Sequence, residues 1–136
     1  MRIILIVLVL IHAVIHVVGF VKAYRLTNIN ELTQLISKPA GLIWLLISIL
    51  FITTAILIYF KREWWPFVGL LTIILSQILI IAFWKDAKFG TIANLTILVV
   101  GLIVYGEFQF NRMVQSESQE ILKNLHLEHP IHIKID

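Results

Sequence analysis

Long runs of apolar residues dominate the first 110 positions of the chain. Asp, Glu, Lys and Arg are absent from four stretches: residues 3–21, 39–60, 64–84 and 89–106. These stretches contain 19, 22, 21 and 18 residues. A bilayer core about 30 Å thick is crossed by roughly 20 residues of helix, so each stretch has the length of one transmembrane helix.

The content of the stretches indicates helices rather than the strands of a membrane barrel. Barrel strands alternate polar and apolar residues over about ten positions, whereas Ile3–Leu10 and Leu45–Ile52 are almost continuously apolar. We therefore predict an all-α integral membrane protein, a four-helix transmembrane bundle in residues 1–110 with a polar tail in 111–136. The four helices are predicted at about 3–24, 39–60, 66–84 and 92–110.

The segment Arg25–Lys38, between the first two helices, is polar but patterned. Its apolar residues fall at helical spacing, and Asn28 with Glu31 has the arrangement of a capping box. The pattern predicts a short interfacial helix between helices 1 and 2, lying along the membrane surface.

Three residues mark the starts of the later helices. Pro39 and Pro66 suit the first turns of helices 2 and 3, because the missing proline N–H would have no helical partner there. Thr91, after the loop that follows Trp84, is predicted to be the N-cap of helix 4.

A stripe of small residues predicts close contact between helices. Gly41, Ser48 and Ala55 recur every seven positions on helix 2. Small side chains let helix backbones approach closely in lipid, where apolar area alone does not drive association.

The bulk composition excludes several classes of protein. The chain is 60% hydrophobic and 14% charged, whereas soluble domains have about 25% charged residues. The net charge of +3 comes from basic residues beside the ends of the helices, where they normally collect in membrane proteins. We therefore predict a multi-pass protein whose partner is the lipid bilayer and which binds no nucleic acid. Because the chain has no cysteine, thiol redox chemistry and cysteine-based metal sites are excluded.

His12 and His16 carry the strongest chemical signal. They lie four residues apart on one face of helix 1, and polar groups at membrane depth are costly enough to indicate function. Three interpretations stay open: hydrogen bonds between helices, contact with an organic ligand, and a metal or haem site. The spacer lacks the Glu of zinc-binding helix pairs, so no metal site is assigned. Nor is one assigned to His126, His129 and His132, since a helix-breaking proline lies among them.

Other polar residues are expected at a similar depth once the helices are threaded antiparallel. Gln77 and Asn94 are amides inside apolar stretches, and such groups need hydrogen-bond partners in lipid. The predicted ligand-binding set is His12, His16, Lys22, Trp44, Gln77, Lys85, Asp86 and Asn94.

This mixture of residues suits a quinone-like or lipid headgroup better than an inorganic ion, and it could also serve proton transfer. No cofactor and no catalytic residue is assigned. The alternative function is a non-catalytic subunit or assembly factor of a membrane complex, acting through helix surfaces. A homo-oligomer is a further expectation.

Three stretches carry a resemblance to known proteins: Leu10–Ala23, Gln34–Trp44 and Trp84–Asn94. They resemble a family of bacterial four-helix membrane segments of uncharacterised function. More distantly, the histidine followed by a lysine near the end of helix 1 resembles the DoxX-like proteins. The resemblance covers about residues 1–110 and implies a bacterial inner-membrane location and a redox-associated role. In some relatives a larger soluble domain follows helix 4.

Overall fold

The computed structural model describes residues 1–27 and 33–128, without the side chains of 126–128. This part of the chain is helical and contains no strand. Its helices are α1 (Arg2–Ala23), α2 (Lys38–Tyr59), α3 (Trp65–Ala82), α4 (Trp84–Ala87) and α5 (Gly90–Glu128).

Four of these helices are long and apolar enough to cross a membrane, which confirms the predicted number of such helices. Within the described ranges they are α1, α2, α3 and the Gly90–Leu125 part of α5. The fourth charge-free run, 89–106, therefore belongs to a helix that begins at Gly90, one residue into the run, and ends far beyond it.

The two predicted proline positions are confirmed. Pro39 and Pro66 both lie in the first two positions of their helices. The Ser37 hydroxyl caps α2 by accepting a hydrogen bond from the Ala40 backbone N–H at 3.4 Å. The prediction for Thr91 is wrong: α5 begins at Gly90, so Thr91 lies inside the helix, and its hydroxyl bonds another side chain.

Helix α5 does not end near Phe110 but continues to Glu128. The predicted end near Phe110 rests on the loss of apolar character, which marks the end of a membrane-compatible stretch and not of helical structure. Between Gly106 and Pro130 the chain has neither glycine nor proline and is rich in Glu, Gln and Leu, all good helix formers.

Two compact units make up the chain, Met1–Val104 and Tyr105–Asp136. In the second unit, Gln109 Nε2 donates to Tyr105 Oη at 2.7 Å, one helical turn apart. The side chains of residues 106–125 in this unit are largely exposed. The histidines His129 and His132 and the side chain of His126 lie outside the described residues.

The predicted interfacial helix can be compared with the structure only in part. Its residues 28–32, including the Asn28 and Glu31 of the capping box, lie outside the described residues. The neighbouring described residues 33–37 are not helical, so the apolar spacing that included Leu35 and Ile36 does not correspond to a helix there.

Close packing of α1 against α2 organises the first unit. The Ser48 hydroxyl donates to the Ala13 carbonyl at 2.8 Å, and a Cβ on Gly41 would overlap the Ala23 side chain. Gly41 and Ser48 therefore contact α1, which confirms the predicted role of these two stripe residues. Ala55, the third, is 3% exposed.

Candidate functional site

A cavity of about 260 Å³ lies inside the first unit. Residues from each of the helices of this unit border it, and most are apolar. The apolar lining residues are Ile15, Val18, Ile80, Ala87, Phe89 and Ala93. The polar or amphipathic lining residues are His12, His16, Trp44 and Asp86, with Gly19 and Gly90 completing the wall. The cavity is thus an apolar chamber with a small polar region.

The two histidines of α1 are buried against α3. His12 and His16 are 2% and 1% exposed. His16 Nε2 lies 2.9 Å from the Ser76 hydroxyl oxygen, and His12 Nε2 lies 3.4 Å from the same atom. The hydroxyl of one serine on α3 therefore lies within hydrogen-bond distance of both imidazole rings.

From Ser76 a chain of hydrogen bonds continues to the first turns of α5. Asn94 Nδ2 donates to Ser76 Oγ at 3.0 Å and to Gln77 Oε1 at 3.2 Å. Gln77 Nε2 in turn donates to Thr91 Oγ1 at 3.0 Å. Buried amides need such partners in an apolar interior, and here α3 and α5 supply them to each other.

Aromatic side chains of α2 hold the imidazoles in place. Phe51 lies edge-on to His12 at 4.9 Å between ring centroids, and it stacks on His16 at 5.5 Å. The Trp44 indole lies 5.1 Å from the His16 ring. These contacts restrict the orientations that either ring can adopt.

Three nitrogen atoms at this site have no hydrogen-bond partner. They are His12 Nδ1, His16 Nδ1 and Trp44 Nε1. All three belong to residues that border the cavity and are at most 5% exposed. A buried polar group without a partner costs roughly 1–3 kcal/mol, so each such group in a folded protein needs an explanation. A molecule bound in the cavity would contact the three residues that carry these atoms.

Asp86, at the cavity border, ties the segment before α2 to α4. Its carboxylate accepts a hydrogen bond from the Gln34 backbone N–H at 2.7 Å and one from the Thr33 hydroxyl at 2.7 Å. The Gln34 N–H, and then the Thr33 hydroxyl, hold the pKa of the Asp86 carboxyl below its ordinary value. Asp86 therefore remains ionised at neutral pH.

The residues predicted from sequence fall into three groups. His12, His16, Trp44 and Asp86 border the cavity. Gln77 and Asn94 belong to the adjoining chain of hydrogen bonds. The remaining two, Lys22 in the last turn of α1 and Lys85 in α4, are not among the lining residues.

Ser76, at the centre of the cluster, was missed by the sequence analysis. It is 0% exposed and contacts both histidines and Asn94. Serine is common in membrane helices as a small packing residue, so it did not stand out beside Gln77. Its position within an apolar run, next to an amide, was the available signal.

A metal site finds little support in this arrangement. Among the described residues, no group of three or more His, Asp or Glu side chains is placed to hold a metal ion. The Nε2 atoms of the histidine pair are directed to Ser76. The arrangement is better suited to binding a small organic molecule through hydrogen bonds and ring contacts.

No protein-family model, curated protein or solved structure matches the chain. The resemblance to DoxX-like proteins, with the bacterial location and redox association that it implies, therefore stays a prediction.

Proposed function

We propose that this chain is a multi-pass membrane protein that binds a small amphipathic molecule, a quinone or a lipid, with its polar headgroup in the cavity. The observation that carries the proposal is that His12, His16 and Trp44, three residues with a buried nitrogen that has no hydrogen-bond partner, border one cavity. The enclosing walls are mostly apolar, as expected for a ligand that partitions into lipid.

The outer surface of the helices supports insertion into a membrane. Large apolar side chains such as Ile3, Val14, Ile78 and Leu95 are each 60% or more exposed. In water, an apolar surface on this scale would promote association, whereas a bilayer solvates it. The cell membrane is the proposed location, and the lipid bilayer is the first partner.

The size of the cavity indicates how the ligand would be held. Ligand pockets usually measure about 300–1,000 Å³, so a cavity of about 260 Å³ fits a headgroup rather than a whole lipid. Ile15 and Val18 border the cavity and are 49% and 37% exposed. A hydrocarbon tail would leave the cavity between them and continue into the surrounding lipid.

The experiment is a direct search for the bound molecule. The full chain is purified in a mild detergent, and organic extracts are analysed by mass spectrometry alongside absorbance spectra and metal analysis. We expect one quinone or lipid species in near-stoichiometric amount. His16→Phe, which keeps a ring of similar size but removes both nitrogens, should lose that species.

The matched control is Ile11→Phe, because Ile11 lies on the same helix and is 56% exposed. This variant should retain the ligand. If the wild-type protein carries no enriched molecule, or if both variants retain the same molecule equally, the proposed function is wrong.

The alternative function, a non-catalytic subunit or assembly factor, predicts that the protein co-purifies with a larger complex. The small-residue stripe on α2 offers this alternative no free surface at Gly41 or Ser48, because both residues contact α1. Extraction in the mildest detergent that keeps complexes intact, followed by size analysis, separates the two functions.

A further inference from the structure

The second half of α5 carries an apolar stripe along one side. Successive residues of an α-helix are about 100° apart around its axis, so five large apolar side chains fall within about 60° of Phe110 on either side. They are Phe110 itself, Met113, Val114, Ile121 and Leu125. Each of these side chains is between 43% and 61% exposed. The described part of the chain therefore leaves a large share of this stripe uncovered.

The charged residues of the same segment are sorted by sign around the helix. Three acidic residues lie within about 80° of Phe110, beside or inside the apolar stripe. They are Glu107, Glu117 and Glu120. Arg112 and Lys123 lie about 140–160° from Phe110, on the opposite side. The Arg112 guanidinium lies 5.9 Å from the ring centroid of Phe108, which is also on that side. We call the apolar stripe with its three glutamates the acidic face of α5.

Lipid is a poor partner for the acidic face. Residues 90–106 of α5 contain no charged side chain, whereas residues 107–125 contain five. Charged side chains are costly in the hydrocarbon core. A helix lying on the membrane surface buries its apolar side in the boundary between headgroups and acyl chains, and here Glu117, in the middle of that side, would be buried with it.

A second copy of the chain is also a poor partner for this face. Both basic residues of the segment lie on the other side of the helix. Two copies that meet through the acidic face, in either relative direction, therefore bring glutamates against glutamates. Like charges opposed across an interface are strongly unfavourable.

We propose that the acidic face of α5 binds another protein, through a helix whose own apolar side is bordered by Lys or Arg. The two apolar sides pack together, as amphipathic helices do in peptide recognition. Basic side chains of the partner lie against Glu107, Glu117 and Glu120, and this charge complementarity selects the partner. The inference does not rest on the proposed ligand, because the face belongs to the second unit and the cavity to the first.

The first test uses two designed helical peptides as probes. Both have about 20 residues, a leucine stripe and glutamine elsewhere, and the positions beside the stripe are lysine in one and glutamate in the other. Binding to the full chain in phosphatidylcholine nanodiscs is measured by fluorescence anisotropy, with empty nanodiscs as the reference. We expect the lysine peptide to bind at least about tenfold more tightly than the glutamate peptide, with a preference that falls as salt is added.

Two results of this comparison would overturn the inference. One is equal binding of the two peptides to the protein. The other is that neither peptide binds the protein nanodiscs more tightly than the empty ones.

A pair of neighbouring apolar residues locates the binding on the helix. Ile121→Gln should weaken binding of the lysine peptide at least about fivefold, because Ile121 lies within the stripe. The control is Leu122→Gln, since Leu122 is 57% exposed but lies about 100° further around the helix. This control should change the affinity less than about twofold. Equal losses in the two variants would show that the peptide does not recognise the acidic face.

A second pair of variants tests the charges. Glu117→Gln should weaken binding of the lysine peptide by about two- to fivefold, in the range of exposed ion pairs. Arg112→Gln, on the opposite side, should not weaken it. All four substituted side chains are exposed, and circular dichroism checks that helix content is unchanged. Loss of binding in Arg112→Gln but not in Glu117→Gln would contradict the proposal.

The two rejected occupants are tested with Ser118→Cys, which places a single thiol at the border of the stripe in a chain without cysteine. In phosphatidylcholine nanodiscs we expect rapid reaction with a water-soluble maleimide, and in detergent no crosslink between copies by a bismaleimide. Efficient crosslinking would identify a second copy as the occupant. Protection from the water-soluble reagent would place the face in lipid, and either result would overturn the proposal.

Discussion

The Trp44 indole lies directly against the backbone of Gly19, in the space that a Cβ at residue 19 would occupy. This contact brings α2 close to α1 beside the cavity, since both residues border it. It also places the indole next to the His16 ring, at 5.1 Å. The absence of a side chain at Gly19 is thus a requirement of the site and not only of helix packing.

Gly19→Ala should lower the stability of the protein, because the added methyl group overlaps the indole and Trp44 must move. Overpacking of a well-filled interior typically costs about 1–3 kcal/mol. The control is Gly106→Ala, where an added Cβ meets nothing within 4 Å. This change should be neutral or stabilising by up to about 1 kcal/mol, since alanine is the better helix former. Thermal unfolding in detergent, followed by circular dichroism, measures both, and equal effects would show that the contact at Gly19 is unimportant.

Ser76 and Asn94 should be energetically coupled, because Asn94 Nδ2 donates to Ser76 Oγ at 3.0 Å. In a double-mutant cycle with Ser76→Ala and Asn94→Leu, we expect a coupling free energy of about 0.5–2 kcal/mol, the range for hydrogen bonds between membrane helices. The pair Ser76→Ala and Thr53→Ala shares no partner and should be additive within about 0.5 kcal/mol. If the effects of Ser76→Ala and Asn94→Leu are additive, the two side chains do not share the hydrogen bond described above.

Asp86 should make the stability of the protein depend on pH in the acid range. Its pKa is lowered in the folded state from the ordinary 3.8, so below that value the unfolded chain binds more protons than the folded one. The contribution of the carboxylate is therefore complete above about pH 4 and is lost as the pH falls through the lowered folded value. Unfolding midpoints between about pH 2 and 6 should show this loss in the wild type and a smaller loss in Asp86→Asn.

The control for this titration is Glu107→Gln, which removes an exposed carboxylate from α5. In this variant the unfolding midpoint should fall at acid pH as it does in the wild type. If Asp86→Asn and the wild type have the same pH dependence, the hydrogen bonds from Thr33 and Gln34 contribute nothing to stability.

Filling the cavity should abolish ligand binding without removing any polar group. Ala93 borders the cavity, so Ala93→Phe places a ring where the headgroup is proposed to bind. Leu95→Phe is the control, because Leu95 lies on the same helix and is 60% exposed. We expect the ligand found by mass spectrometry to be lost from Ala93→Phe and retained by Leu95→Phe. Retention by both would place the ligand elsewhere.

The apolar pattern predicted the helices well because length and composition alone decide which stretches suit a bilayer. It predicted helix ends poorly where a helix continues into a polar stretch, as α5 does beyond Phe110. The prediction that Thr91 is the N-cap of the fourth long helix was also wrong. Its hydroxyl has a tertiary partner, Gln77, and local spacing carries no information about such a partner.

At the candidate site, sequence reasoning found the residues that are unusual in an apolar run. Histidines and amides are costly inside a stretch that is long and apolar enough to span a membrane, and so His12, His16, Gln77 and Asn94 stood out. Ser76 did not, because a single hydroxyl is cheap to bury and its importance depends on the groups around it, the two imidazoles and both ends of the Asn94 amide. Which side chains converge on one atom is a property of helix packing and cannot be obtained from spacing along the chain.

The chain of hydrogen bonds from His16 through Ser76, Asn94 and Gln77 to Thr91 consists entirely of groups without formal charge. In a membrane, an electric field does work only on charge that moves through it, about 2.3 kcal/mol per elementary charge for each 100 mV. Rearrangement of these neutral groups around an uncharged ligand would move no net charge. Occupancy of the cavity should then follow the concentration of ligand dissolved in the lipid and remain unchanged when the cell energises or depolarises its membrane.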